Sequence, residues 1–177
     1  MTVQPKHSIS FDQANTLLIK AQPLVDCYVS GEVRIETHEG WEKEVVLEDC
    51  ILEYFSSSAT QFEKPVRLLN CHFKQCQFVF SYFLGGLTIE NCTFENYLDF
   101  QAGGHNKNGK PVIITGNQFL GFVNFFDCWY EGEIIIRNNN FQKGANLLGR
   151  PFNIPVTFDV VPIIEENEGQ LNSDTEG

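Results

Sequence analysis

The chain has 177 residues, 42% of them hydrophobic and 13% aromatic, with 16 Phe and a single Met. This composition suits one globular domain with a sizeable core and excludes a disordered chain. The net charge of −11 is uneven, with −6 in residues 1–64, zero in 65–164 and −5 in 165–177, so nothing resembles a nucleic-acid-binding patch.

The opening stretch "MTVQPKHSISFDQ" shows no charged start followed by an apolar run. No stretch reaches membrane-spanning length, and the reading is of a cytoplasmic protein with no membrane partner. In that setting Cys27, Cys50, Cys71, Cys76, Cys92 and Cys128 read as reduced thiols packed as small hydrophobes. Residues 10–22, "SFDQANTLLIKAQ", predict a short amphipathic helix. Ser10 is its N-cap, Asp12 lies in its first turn, and Leu17, Leu18 and Ile19 are its apolar residues. Residues 1–30 are therefore expected to form an N-terminal cap, and 31–44 to enter the main body as irregular strands around "THEGWEK".

From residue 45 the chain repeats. "VVLEDCIL" from Val45, "VRLLNCHF" from Val66, "LTIENCTF" from Leu87, "VIITGNQF" from Val112 and "IIIRNNNF" from Ile134 align at steps of 21–25 residues, and "VTFDVVPI" from Val156 keeps the opening. The longest step holds "GGHNKNGK", a polar loop inserted between regular units. Within each phrase, Val45, Val66, Leu87, Val112 and Ile134 are followed two residues on by Leu47, Leu68, Ile89, Ile114 and Ile136. That alternation predicts a short half-buried strand. Asp49, Asn70, Asn91, Gly116 and Asn138 come next. These residue types tolerate a left-handed backbone, so a corner is expected there. Cys50, Cys71, Cys92, Asn117 and Asn139 follow as a stacked column, and Leu52, Phe73, Phe94, Phe119 and Phe141 form a large apolar stack. Later in each unit Val79, Phe100, Phe125 and Leu147 align, as do Phe62, Phe83, Tyr130 and Phe152, with Asn108 at the matching place in the inserted unit. Three apolar segments per turn, separated by corners, describe a parallel β-helix of about 5–6 coils. At about 4.8 Å per coil the rod is roughly 25–30 Å long. Pro151, Pro155 and Pro162 suit the end of strand pairing near 164, and residues 165–177 read as a disordered acidic tail.

"ANLLG" (145–149) resembles a unit of the pentapeptide-repeat family, in which a small residue, Asp or Asn, and Leu or Phe precede two mostly polar residues. "VNFFD" (123–127), "CQFVF" (76–80) and the tandem "CHFKQCQF" (71–78) are looser versions. The resemblance covers roughly 45–150 and implies an all-β, right-handed parallel β-helix. Some members are acidic rods that imitate DNA and bind topoisomerases. That role needs negative charge along the whole rod, whereas 65–164 is neutral.

The candidate chemistries are sparse. "CHFKQC" (71–76) offers Cys71, His72 and Cys76, but without the C-x-x-C spacing of a zinc site. Neighbours on a strand face opposite ways, so His72 is expected to point away from Cys71. The cysteine column reads as packing and no metal is expected. For carbohydrate cleavage Asp99, Asp127, Glu131 and Lys110 are the available groups, with His105 and Lys107 in the inserted loop, yet they share no column. The pairs at Gly85–Gly86 and Gly103–Gly104 have no following helix to cradle a phosphate, so no cofactor is expected. The outward residue of the opening strand reads Val46, Arg67, Thr88, Ile113, Ile135. Val46, Ile113 and Ile135 are apolar where polar residues belong. Either the segment 151–164 covers them, or they form a contact with a protein partner or a second copy, as in a homodimer. The expectation is a non-catalytic interaction or structural module. The alternatives are a carbohydrate-binding or carbohydrate-cleaving β-helix protein and the acidic DNA mimic.

Overall fold

Strand-sized apolar segments that end in a left-handed residue cannot extend into long strands; they turn and stack on the next repeat. In a computed structural model describing residues 4–5, 7–37 and 40–177, they wind into a parallel β-solenoid of about six coils. On the first face Leu24–Val25, Val45–Glu48, Val66–Leu69, Leu87–Glu90, Val112–Thr115, Ile134–Arg137 and Ile163–Glu165 pair in order, all parallel. Val45 lies beside Val66, Leu87, Val112 and Ile134, so like side chains form ladders through the core. The corner after this face is left-handed in every coil, with φ of 50–70° at Asp26, Asp49, Asn70, Asn91, Gly116, Asn138 and Glu166. At Gly116 an added Cβ would sit 2.5 Å from Asn91 Oδ1, so the absent side chain also makes room for its neighbour.

The second face carries the aromatic axis. Phe73, Phe94, Phe119 and Phe141 stack with ring centroids 4.9, 5.2 and 4.7 Å apart. Burying each ring stabilises the fold by about 1.5–3 kcal/mol. Two further ladders close the coil. One follows the ends of Ile51–Ser57 and His72–Gln77 into Leu98–Asp99, Val123–Asn124 and Ala145. The other joins Gln61, Tyr82, Gly104, Trp129 and Thr157. The coil thus has four ladders where the apolar pattern suggested three, because from the strand Leu98–Asp99 onward the third face, and along its whole length the fourth, pair through only one or two residues per coil.

The less regular half corrects two assignments. Phe78, not Val79, stacks on Phe100 and Phe125, with centroids 5.3 Å apart at both steps. Cys76 pairs with Leu98 and follows Phe73 by three residues, whereas Leu98 follows Phe94 by four, so this coil is one residue short at its corner. Phe158 takes the place assigned to Phe152, stacking on Tyr130 at 5.8 Å. Phe152 sits in the short turn Pro151–Asn153 and is 77% exposed. The glycine pairs mark close approach: a Cβ on Gly103 would lie 2.7 Å from Ser81 O, and Gly104 has φ +98°. In the inserted loop Asn106 is buried and donates to Lys110 O and Glu133 O, so it, and not Asn108, pins the loop inward.

The stack begins before residue 31. His7–Ser10 pairs with the strand Cys27–Ile35, which carries a register shift between Val29 and Glu32. Between them lies the helix α1, Phe11–Ile19, whose Ser10 N-cap forms a capping box with Gln13. Ala14 and Leu18 are buried against the end of the stack, Leu17 packs partly on the core, and Ile19 is exposed. In the "THEGWEK" entry, His38 and Glu39 lie outside the described residues, and Trp41 packs against the core. Residues 165–177 do not form a disordered tail. Ile163–Glu165 and Glu168–Gly169 add rungs to the first and second faces. The chain then runs back over the third face, where Ser173 N donates to Ala145 O (3.1 Å) and Tyr97 OH to Glu176 O (2.9 Å). Ile164, Asn167 and Leu171 keep the inward chemistry of earlier coils while Glu165, Glu166 and Glu168 face solvent, so composition alone hid the pattern.

Candidate functional site

The Asn-Cys phrases sit where the first face turns into the second. Their sulfurs point inward and are buried at Cys27, Cys50, Cys71 and Cys92, and Asn117, Asn139 and Asn167 continue the column. Each amide serves its neighbours: Asn117 Oδ1 accepts from Cys92 N (2.8 Å), and Asn117 Nδ2 donates to Ile89 O and Asn139 Oδ1 (both 2.9 Å). The thiols follow the same scheme more weakly. Cys92 Sγ accepts from Cys71 N (3.3 Å) and donates to Leu68 O (3.3 Å). Burial pushes the Cys71 and Cys76 thiols well up, and it pushes Cys128 up to about 12. They are therefore held protonated, as packing groups and not as thiolate ligands. His72 faces outward and its Nε2 lies 2.6 Å from Glu95 Oε1. Among the described residues no cluster of three or more His, Cys, Asp or Glu side chains is placed to hold a metal.

Outside this column an open groove of about 630 Å³ runs along the corner, lined by Asp26, Asp49, Asn70, Asn91 and Gln118 among others. Asn91 Nδ2 donates to Asn70 Oδ1 across it (3.4 Å).

The carboxylates considered for bond cleavage are scattered. Asp99 lies on the third face, where its Oδ1 accepts from Asn124 Nδ2 (3.0 Å) and Gln101 N (2.9 Å). Burial raises its pKa, and these two hydrogen bonds partly offset the rise. Glu131 lies on the fourth face, 3.3 Å from His105 Nδ1. Asp127 is a left-handed corner residue between the two. Lys107 is paired with Glu63 (3.3 Å), and Lys110 closes a turn of the inserted loop. The coils keep Asp99, Asp127 and Lys110 apart from one another, and the pair they do form is His105 with Glu131.

The outward row of the first face is continuous. Val46, Arg67, Thr88, Ile113 and Ile135 lie on adjacent strands, and Ile135 pairs with Ile163. The segment 151–164 therefore does not cover Ile113 and Ile135; it extends their row by one more apolar rung. Val46, Ile113 and Ile135 stand outside the group of side chains packed on the core, and Ile163 is 42% exposed. The parallel row beside it reads Val25, Glu48, Leu69, Glu90, Thr115, Arg137, Glu165, so its acids are interrupted rather than continuous. Arg67 and Arg137 are already paired with Glu44 (3.3 Å) and Glu165 (2.9 Å).

Composition and repeat columns overlooked a set of rings at the corner between the third and fourth faces: Phe80, Trp129 and Phe152 are exposed, and Phe126 and Tyr82 lie half-buried beside them. The repeat alignment puts Phe152 in a core column; for the others the signal was the placement of aromatic residues beside a corner. Among the described residues, no helix is long and apolar enough to cross a membrane. No family model matches the chain, and no curated protein or solved structure was found that matches it.

Proposed function

We propose that this protein is a non-catalytic interaction module that docks a protein partner on its first face. The observation that carries this reading is the part-exposed apolar row Ile113–Ile135–Ile163 on a parallel sheet, bordered by Glu90 and Glu133. A part-exposed apolar strip beside acids that form no ion pair among the described residues suits a partner surface whose apolar residues are flanked by Lys or Arg. We favour a heterologous partner over a second copy, because the arginines of this face, Arg67 and Arg137, are already paired with Glu44 and Glu165 and so are not available to these acids. We place the protein in the cytoplasm, which its six free, buried thiols suit. We also read the coils as divergent pentapeptide repeats wound with a right hand. In support, Val123 and Phe125, like Ala145 and Leu147, both point into the core around a buried Asn, and the two Asn side chains are hydrogen-bonded to each other along the ladder.

The test begins with partners isolated from the native host. One of these, purified, should bind the wild type and lose at least about tenfold in affinity to Ile135→Lys, while the variant keeps its thermal midpoint. Affinity should also fall as salt rises. Equal affinity for wild type and variant refutes the first face as the docking surface. A wild-type mass of twice the monomer by light scattering, halved in Ile135→Lys, would replace the partner with a second copy.

A further inference from the structure

The corner between the third and fourth faces departs from the economy of the rest of the surface. Three of its left-handed positions hold Ala59, Ala102 and Asp127, yet the fourth holds Phe80, at φ 54° and 49% exposed. A bulky residue rarely adopts this backbone conformation, and nothing in the core requires a ring there. Phe152 repeats the anomaly at the end of the edge, with φ 52°, and its ring lies 5.8 Å from that of Phe126. On the fourth-face side of the corner, Tyr82, His105 and Trp129 come from three successive coils. Their ring centroids are 4.3 and 5.5 Å apart, and Trp129 is 43% exposed. These rings form a track parallel to the solenoid axis.

Carboxylates are set among the rings. Trp129 Nε1 donates to Asp159 Oδ1 (2.9 Å), His105 Nδ1 meets Glu131 Oε2 (3.3 Å), and Asp127 separates Phe126 from Trp129 at the corner itself. The nearby ammonium of Lys107 is held by Glu63. Protein–protein interfaces concentrate aromatic residues but deplete Asp and Glu from their centres. A polyhydroxylated ligand meets both halves of this surface. Its C–H faces pack on the rings and its hydroxyls donate to the carboxylates. The same carboxylates repel an acidic sugar chain.

We propose that the edge bearing Phe80, Tyr82, His105, Phe126, Trp129 and Phe152 is a binding track for a neutral oligosaccharide lying along the solenoid axis.

The test is an array of neutral and acidic oligosaccharides probed with the full chain, followed by titration of the best neutral oligosaccharide. Wild type should bind neutral chains in preference to acidic ones. Trp129→Ala and Tyr82→Ala should each weaken binding by about tenfold, while Ile135→Lys should leave it unchanged. Both rings lie at the surface, and matching circular dichroism melts will show that the variants remain folded. The proposal fails if no neutral oligosaccharide binds, if acidic chains are preferred, or if Trp129→Ala binds as wild type does. It fails equally if Trp129→Ala loses the protein partner of the first face, because the edge would then belong to that protein interface.

Discussion

Asn117 occupies the point where the inner corner column changes from sulfur to amide. Its Oδ1 accepts the Cys92 N–H and its Nδ2 donates to Ile89 O and Asn139 Oδ1, all in buried surroundings. Asn117→Ala orphans these groups and should destabilise the protein by about 2–4 kcal/mol. Asn117→Cys should lose less, about 1–2 kcal/mol, because a thiol in this column can accept and donate as Cys92 does. Denaturant midpoints of the two variants will check the order, and an equal loss would show that the column relies on volume alone. Asp99 allows a test by pH. Burial raises its folded pKa above the ordinary 3.8, so the fold favours the protonated form. Its favourable contribution is complete below pH 3.8 and is lost as pH rises through the folded value. Asp99→Asn keeps an acceptor for Gln101 N and removes the buried charge. Its melting midpoint should exceed that of wild type at pH 7, and the difference should shrink as pH falls toward 4. At this scale the sequence was readable where one residue type repeats in register, as with Phe73, Phe94 and Phe119. It was silent on Asn106 and Asn146, whose partners lie in other coils.

The segment 170–177 is an element that charge composition hides. It runs back across the third face, with Asn146 Nδ2 donating to Thr175 O (3.1 Å) and Arg150 N to Asp174 Oδ1 (2.8 Å). Burial pushes the Tyr97 hydroxyl up to about 12, and its O–H donates to Glu176 O within this strap. Deleting residues 170–177 should lower stability by about 2–4 kcal/mol through the lost hydrogen bonds. It should also return one tyrosine toward a pKa near 10 in an ultraviolet titration. An unchanged titration curve would mean that the strap does not shield Tyr97. The strands of the first face were legible because two inward columns recur two residues apart in five units. The third and fourth faces were less so. A one-residue difference in corner length moved Phe78 into the place read for Val79, and the proline-rich excursion exchanged Phe152 for Phe158. Corner length depends on pairing with the neighbouring coil, which no single repeat records.

Over the whole molecule each coil rests on its neighbours, and the two ends differ. The N-terminal end carries α1 and the short pair of His7–Ser10 with Cys27–Ile35. The C-terminal end finishes with the outer strands Ile163–Glu165 and Glu168–Gly169, whose acidic side chains discourage edge pairing with another sheet. Two outward surfaces remain: the apolar row of the first face and the aromatic corner. Val46, Ile113 and Ile135 were identifiable from alternation alone, because a residue between two buried columns has to face out. Whether the segment 151–164 covered them was open until the pairing of Ile135 with Ile163 showed that it lengthens the row. The repeat period, left-handed corners, aromatic axis and Cys-to-Asn column were determined by the sequence itself. Each of these depends on contacts between equivalent residues, so the register of the repeat specifies them. The fourth ladder, the ordered C-terminal strap and the gathering of Phe80, Tyr82, Trp129 and Phe152 along one edge were decided by tertiary structure. They depend on how many residues each corner spends and on where the chain goes after its last coil, and neither repeats.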